Sequence, residues 1–471
     1  MELTFSQMLE DNEKFRIDSE FFQKHFLHTY KIIKSKPNKQ MIEIVDVLTD
    51  FSANGSYKSI ANNFKLLDYN SYAYMVRTTD LESSNYTQDV KYIDEASYNF
   101  LGKSKIYGGE ILINKIGNPG RVYHMPKLKR PVSLGMNLFM LRISENNDFT
   151  EEYIWAYLNS KFGKMMINRK VNGSVPLTID KIAIKTLYIP DFGKEFQTKI
   201  TTAILNSQKK EESSKSLYKE AENILLKELD LLDFKPTQEN IAIKSFSKSF
   251  LETGRLDSEY YQPKYDEIVE RIKNYRGGCK SIESVCILKD SNHKPISDKH
   301  YQYIELSNIG TTGDITGFTY NLGKELPSRA RRMVKENDVI ISSIEGSLGK
   351  VAFVTEEFSD SLCSTGFYVL NSQSINPETL LVLFKNSIIQ QILKQNCSGT
   401  ILTGMNKDEF LNILIPIIDI SIQAKIEKKI KTSFQLKSKS IELLALAKRA
   451  VEVAIEEGEE VAFELIGENY E

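Results

Sequence analysis

A chain of 471 residues with 41% hydrophobic and 26% charged residues is too long for one ordinary core, at roughly 100–200 residues per domain, and too apolar to stay disordered. Its formal net charge of −2 excludes an overall basic field, so a polyanionic ligand would have to meet lysines and arginines segregated onto one face or supplied by a partner. No stretch approaches the ~20 uninterrupted apolar residues of a membrane span, and the start MELTFSQMLEDNEKF has no basic segment followed by an apolar run, which predicts a cytoplasmic chain.

In chain order, the first features are the block FRIDSEFF, Phe15 to Phe22, and a mixed helical segment carrying His25 and His28. This HxxH has no third ligand near it, so no metal site is expected. Strand signals follow as short β-branched and aromatic runs broken by Gly, Asn and Pro: YAYMVRTTDL from Tyr72, EILINKI from Glu110 and SLGMNLFML from Ser133. Beyond Pro190 the pattern turns helical for about 35 residues, with Phe196, Ile200, Ala203 and Ile204, then Leu217, Ala221, Ile224 and Leu225, on one side.

Strand signals return in the second half and again give way to a helical period after Pro416, with Ile422, Ile426, Ile430, Phe434, Ile441, Leu444, Val451 and Ile455. Cys279, Cys286, Cys363 and Cys397 all lie here without a CxxC pair, which predicts free buried thiols. The acidic end EEGEEVAFELIGENYE is expected to be a solvated tail, with Val461, Phe463 and Leu465 available to a partner.

The two halves repeat each other in order. FRIDSEFF returns as GRLDSEYY at Gly254 to Tyr261, and YAYMVRTTDL loosely as YQYIELSNIG from Tyr301. GGEILINKIGNPGRV, Gly108 to Val122, is answered by ENDVIISSIEGSLGKV, Glu336 to Val351, and SLGMNLFML by SLCSTGFYV from Ser361. NGSVPLTIDKIAIKTLYIP from Asn172 matches SGTILTGMNKDEFLNILIP from Ser398, an offset of 226 kept through Pro190/Pro416 and Gln197/Gln423. The expected fold class is therefore α+β and internally duplicated: two strand-rich globules at 1–190 and 255–417, long helices at 191–232 and 418–457, a linker at 233–254 and the acidic tail at 458–471. A helix of ~35 residues spans ~50 Å, and two narrow apolar stripes suit an antiparallel helix pair. The alternative is that each helix folds back on its own globule.

This layout resembles the DNA-specificity subunits of type I restriction-modification systems over essentially the whole chain. Its local marks are the R-[IL]-D-S-E-[FY]-[FY] blocks at Arg16 and Arg255, the G-x-x-G-[RK]-V turns ending at Arg121 and Lys350, and the segments leading from Gly173 and Gly399 to the IP dipeptides. The resemblance implies that each globule is a target-recognition domain reading one half of a split, asymmetric DNA target. The helices would set the gap and bind DNA adenine methyltransferase (modification) subunits, two in number, with restriction or translocase subunits as optional partners. It also implies a prokaryotic source, no cofactor in this chain, and partners that use S-adenosylmethionine, Mg²⁺ and ATP. The dissimilar stretches Thr49 to Asn70 and Asp290 to Lys299 fit domains reading different half-sites.

Within that reading, the DNA-contact candidates of the first domain are Arg77, Lys115, Asn118, Arg121, Lys127, Lys129 and Arg130, in or beside turn-rich strands. GNPGR reads equally as a phosphate-positioning loop and as a tight turn whose glycines serve geometry alone. In the second domain Arg329, Arg331 and Arg332 form the densest basic cluster, beside Lys335 and Lys350. Ser174 and Thr400 occupy equivalent loops and suit a phosphate contact, a cap or a simple turn. Tyr72, Tyr74, Tyr301 and Tyr303 alternate as strand residues and are expected in the core.

Catalytic motifs are not recognisable. There is no NPPY-like or DPPY-like segment for amino methylation, and GSLGK from Gly346 lacks the spacing of a phosphate loop. Asp191 and Glu195 read as helix-entry acids rather than a nuclease set. A non-enzymatic recognition subunit is expected, with a non-DNA protein scaffold and the recognition subunit of a methyltransferase-nuclease fusion as alternatives.

Overall fold

The computed structural model describes residues 8–84, 86, 89–399 and 403–468. The chain divides into two compact units, one formed by Met1–Lys210 with Lys439–Glu471 and the other by Glu211–Ser438. Each long helix thus contributes half its length to each unit, rather than standing apart from both as the sequence boundaries suggested. None of the described helices is long and apolar enough to cross a membrane.

The first unit opens with the helix Lys24–Lys34 and the strand β1 (Asn38–Gln40), which pairs with β11 (Tyr188–Pro190). A sheet of β2 (Val45–Asp50), β10 (Leu138–Ile143), β7 (Ile111–Asn114) and β8 (Val122–His124) runs in that order and is antiparallel throughout. A second sheet orders β3 (Leu66–Leu67), β5 (Lys91–Ile93), β4 (Ala73–Val76), β9 (Val132–Leu134) and β6 (Lys105–Ile106), with β4 and β9 parallel. The run EILINKI is apolar without alternation because β7 is covered on both faces. Ile111 and Ile113 join the core under the helices Glu151–Asn159 and Lys161–Lys170, while Leu112 joins the core between the sheets.

The second unit repeats this topology. Strands β13 (Ile287–Leu288), β20 (Phe367–Asn371), β17 (Val339–Ser342) and β18 (Val351–Phe353) take the order of the first sheet. Strands β15 (Thr319–Leu322), β14 (His300–Ile304), β19 (Leu362–Ser364) and β16 (Ala330–Met333) take that of the second without a counterpart of β3, and β14 and β19 are again parallel. In β17, Val339 and Ile341 face one core and Ile340 the other. Strand β12 (Cys279–Ser281) pairs with β23 (Leu414–Pro416) as β1 pairs with β11. Tyr74, Tyr301 and Tyr303 are buried, whereas Tyr72 stays exposed with its ring 5.6 Å from that of Tyr98. Cys286, Cys363 and Cys397 are buried free thiols, and Cys279 is half-buried.

The helices Lys194–Glu228 and Ile420–Glu456 pack against one another within each unit. In the first, Phe196, Ile200, Ala203 and Ile204 share a core with Ala447, Ala450, Val451 and Ala454. In the second, Ala221 and Leu225 share one with Ile426 and Ile430. Between these apolar ends the seam is serine: the Ser207 hydroxyl lies 2.9 Å from that of Ser440 and donates to its carbonyl at 2.8 Å, while Ser214 and Ser433 meet at 3.0 Å. Partner numbers fall on one helix as they rise on the other, so the pair is antiparallel. Ile441, expected on the stripe, is 53% exposed.

The expected acidic tail is instead a helix, Glu459–Glu468, folded onto the first unit. Ala462 and Ile466, one turn apart, are buried in its main core. Phe463 meets Phe196 edge-on at 5.7 Å, and Glu459 accepts the Gly193 backbone N–H at 3.0 Å. Val461 faces outward.

Candidate nucleic-acid interface

The duplicated arginine blocks have a local function. Arg16 forks onto Asp18 with two bonds of 2.8 Å, and its Nη1 donates to the carbonyls of Arg169 at 3.2 Å and Val171 at 2.8 Å. Arg255 forks onto Asp257 at 2.9 and 2.6 Å and donates to the Cys397 carbonyl at 3.0 Å. The Arg16 hydrogen bonds hold the Asp18 carboxyl down at about 2. A planar guanidinium can fork onto a carboxylate with two bonds and still donate to a carbonyl, a fixed geometry that the point-like ammonium of a lysine does not reproduce, and each arginine thereby fixes the root of the loop that follows.

Those loops are the glycine-bearing segments singled out in the sequence, and they meet the turns singled out beside them. Asn172 and Thr178 exchange backbone bonds of 2.9 and 2.8 Å, and the Gly117 N–H donates to the Leu177 carbonyl at 3.1 Å. Gly120, at φ +83°, lies so close to the helix Lys161–Lys170 that a β-carbon would stand 2.3 Å from Ile167 Cγ2. In the second unit the Glu345 N–H donates to the Thr403 carbonyl at 3.1 Å, and Ile344 bridges to Gly404. Thr400 lies outside the described residues.

In the first unit the two loops and the start of the helix Lys24–Lys34 enclose an open groove of about 500 Å³, lined among others by Gln23, Asn118, Arg121, Asn168 and Gly173. Asn118 and Arg121 are thus brought together with the loop of Ser174, which is itself exposed. Arg121 also pairs with Glu82 at 2.5 Å. Lys127 and Lys129 are exposed on a separate loop.

Other candidates are tied to partners inside the chain. Arg77 caps the helix Thr78–Ser83 and chelates Asp80, at 2.7 and 3.1 Å. Arg130 donates to Asn70 and Ser71 and lies over the Tyr92 ring at 4.6 Å. Lys350 donates to the Ile309 carbonyl at 2.8 Å. In PSRARR, Arg329 is exposed, Arg331 donates to the Ser328 carbonyl at 2.9 Å, and Arg332 has a buried Nη1 that lacks a hydrogen-bond partner. Lys335 is exposed and pairs with Asp360.

Lys115 belongs to a structural triad. Asp50, at the end of β2, receives Lys115 at 2.7 Å and Lys181 at 2.8 Å, with only 6% of its side chain exposed. Burial opposes its ionisation, but the hydrogen bonds from Lys115, Lys181 and Ser52 outweigh that cost and hold the carboxyl at about 2. Because the folded value is depressed from 3.8, the stabilisation is present above pH ~4 and lost as pH falls towards 2. An Asp50→Asn variant is expected to lose about 2 kcal/mol at neutral pH and to flatten the acid limb of the stability curve between pH ~4 and ~2. Urea unfolding across that range checks it.

Residues 279–445 match the family model described as "Type I restriction modification DNA specificity domain". No curated protein sequence matches the chain. Among solved structures, the type I restriction-modification system S subunit from M. genitalium is 13% identical with a TM-score of 0.42, covering 89% of this chain and 94% of that one. The HsdS subunit from Thermoanaerobacter tengcongensis is 13% identical with a TM-score of 0.28, covering 89% and 96%.

Proposed function

We propose that this chain is a DNA-specificity subunit of a type I restriction-modification system, a reading supported by the family match over residues 279–445, and that its two units read the two halves of a split, asymmetric target while methyl transfer is supplied by partner subunits. The observation that carries this reading is that one strand order occurs twice in the chain with different side chains on its loops. Two copies of one scaffold suit one task performed twice, and their different surfaces suit two different half-sites.

The paired helices would set the interval between the half-sites and carry two adenine methyltransferase subunits, with a restriction motor as a further partner. S-adenosylmethionine, Mg²⁺ and ATP would be used by those partners. Exchanging residues 15–190 for the corresponding domain of a protein with another target is expected to change one half of the methylated motif and leave the other half and the gap intact. Methylome sequencing of cells expressing the chimera with its methyltransferase reads this directly. A change in both halves counts against modular reading, and the absence of any bipartite motif favours a protein scaffold.

A further inference from the structure

We infer that the groove of the first unit reads the adenine edge of an A·T pair through the side-chain amides of Gln23, Asn118 and Asn168, an assignment that rests on the reading of this unit as a half-site reader. All three side chains are exposed and line one groove, and among the described residues none of the three amides has a hydrogen-bond partner within the chain. An amide offers one donor and one acceptor at the spacing of adenine N7 and N6, so free Asn or Gln side chains beside a groove suit adenine more than any other base.

The duplication supplies an internal comparison. By the alignment of the repeated blocks, the counterparts of Gln23, Asn118 and Asn168 are Gln262, Ser347 and Lys394. Each of these is engaged inside the second unit: Gln262 donates to Glu259, the Ser347 hydroxyl lies 2.8 Å from that of Ser342, and Lys394 pairs with Glu345 at 3.9 Å. The Arg16 fork and the bridged loops, in contrast, recur in both units. What recurs cannot distinguish two half-sites, so discrimination falls to the positions that differ, and here the difference is between free amides and occupied side chains. Arg121 lines the groove as well as Glu20, so charge alone does not decide between a phosphate and a base edge, and the free amides carry the assignment.

The test uses the full chain co-purified with its methyltransferase, and methylation rates on duplexes carrying every single substitution of the target. Gln23→Ala, Asn118→Ala and Asn168→Ala are expected to weaken discrimination at one or two A·T positions of the first half-site by about tenfold, with the second half-site read as before. Asn168→Asp is expected to shift preference from adenine towards cytosine, whose N4 donates to a carboxylate. An intact first half-site in every variant would overturn the assignment. So would an equal loss on all sequences, which marks a phosphate contact. If the unaltered complex shows no bipartite target at all, the failure lies with the half-site reading itself and not with the amides. The unchanged second half-site reports that each variant is folded.

Discussion

Replacing Asp11 by asparagine should destabilise the first unit by about 3–5 kcal/mol, because it leaves buried cations without their nearest counter-charge. Asp11 receives Arg169 at 2.8 Å and Lys170 at 3.0 Å, with 1% of its own side chain and no more than 3% of theirs exposed. Glu13 contacts Lys170 at 3.1 Å but is a third exposed, and it makes no bond to Arg169. Asparagine is chosen because Asp11 sits at φ 54°, a conformation that asparagine tolerates and alanine does not. Reduced midpoint with an unchanged slope in urea is the expected result. A wild-type midpoint would mean that the cations find water or another partner once the carboxylate is gone.

Ending the chain at Glu457 should be comparably damaging, at about 4 kcal/mol, since it uncovers Phe196 and its neighbours and removes the buried Ile466 and Ala462. A solvated tail, as these fourteen residues read from sequence, would be lost at little cost to stability. Thermal unfolding of the truncated chain, with exposed apolar surface followed by dye binding, separates the two. Ile466→Ala isolates the largest single contribution, about 2–5 kcal/mol.

The duplication and the strand runs were legible because each left a pattern in the order of residue types. EILINKI and its counterpart DVIISSI read as strands, and the structure covers both on two faces. The closing helix was obscured because its acids dominate a short segment in which Ala462 and Ile466 are buried and Phe463 and Leu465 only partly so. Ser207, Ser214, Ser433 and Ser440 were missed because an apolar stripe is sought by residue type, and a small hydroxyl that bonds across a close helix contact looks like a surface residue. Among the site candidates, the internal partner of Arg77 could have been read from sequence, since Asp80 stands three residues on as a capping partner. That of Lys115 could not, because Asp50 is 65 positions away in the chain. The groove amides were half seen: Asn118 was marked by its turn, whereas Gln23 and Asn168 sit on helical segments that offered no sign of facing the same space.

The serine contacts carry a consequence for how this chain can change over generations. Ser433 and Ser440 stand 226 residues beyond Ser207 and Ser214, the offset of the duplication, yet Ser207 touches Ser440 and Ser214 touches Ser433. Each serine therefore answers not to its own copy but to the copy of its neighbour. Double-mutant cycles should give a coupling energy for Ser207 with Ser440 and additivity for Ser207 with Ser433. Along this seam the repeats are bound to a common inheritance, while the loops that line the groove are left to diverge.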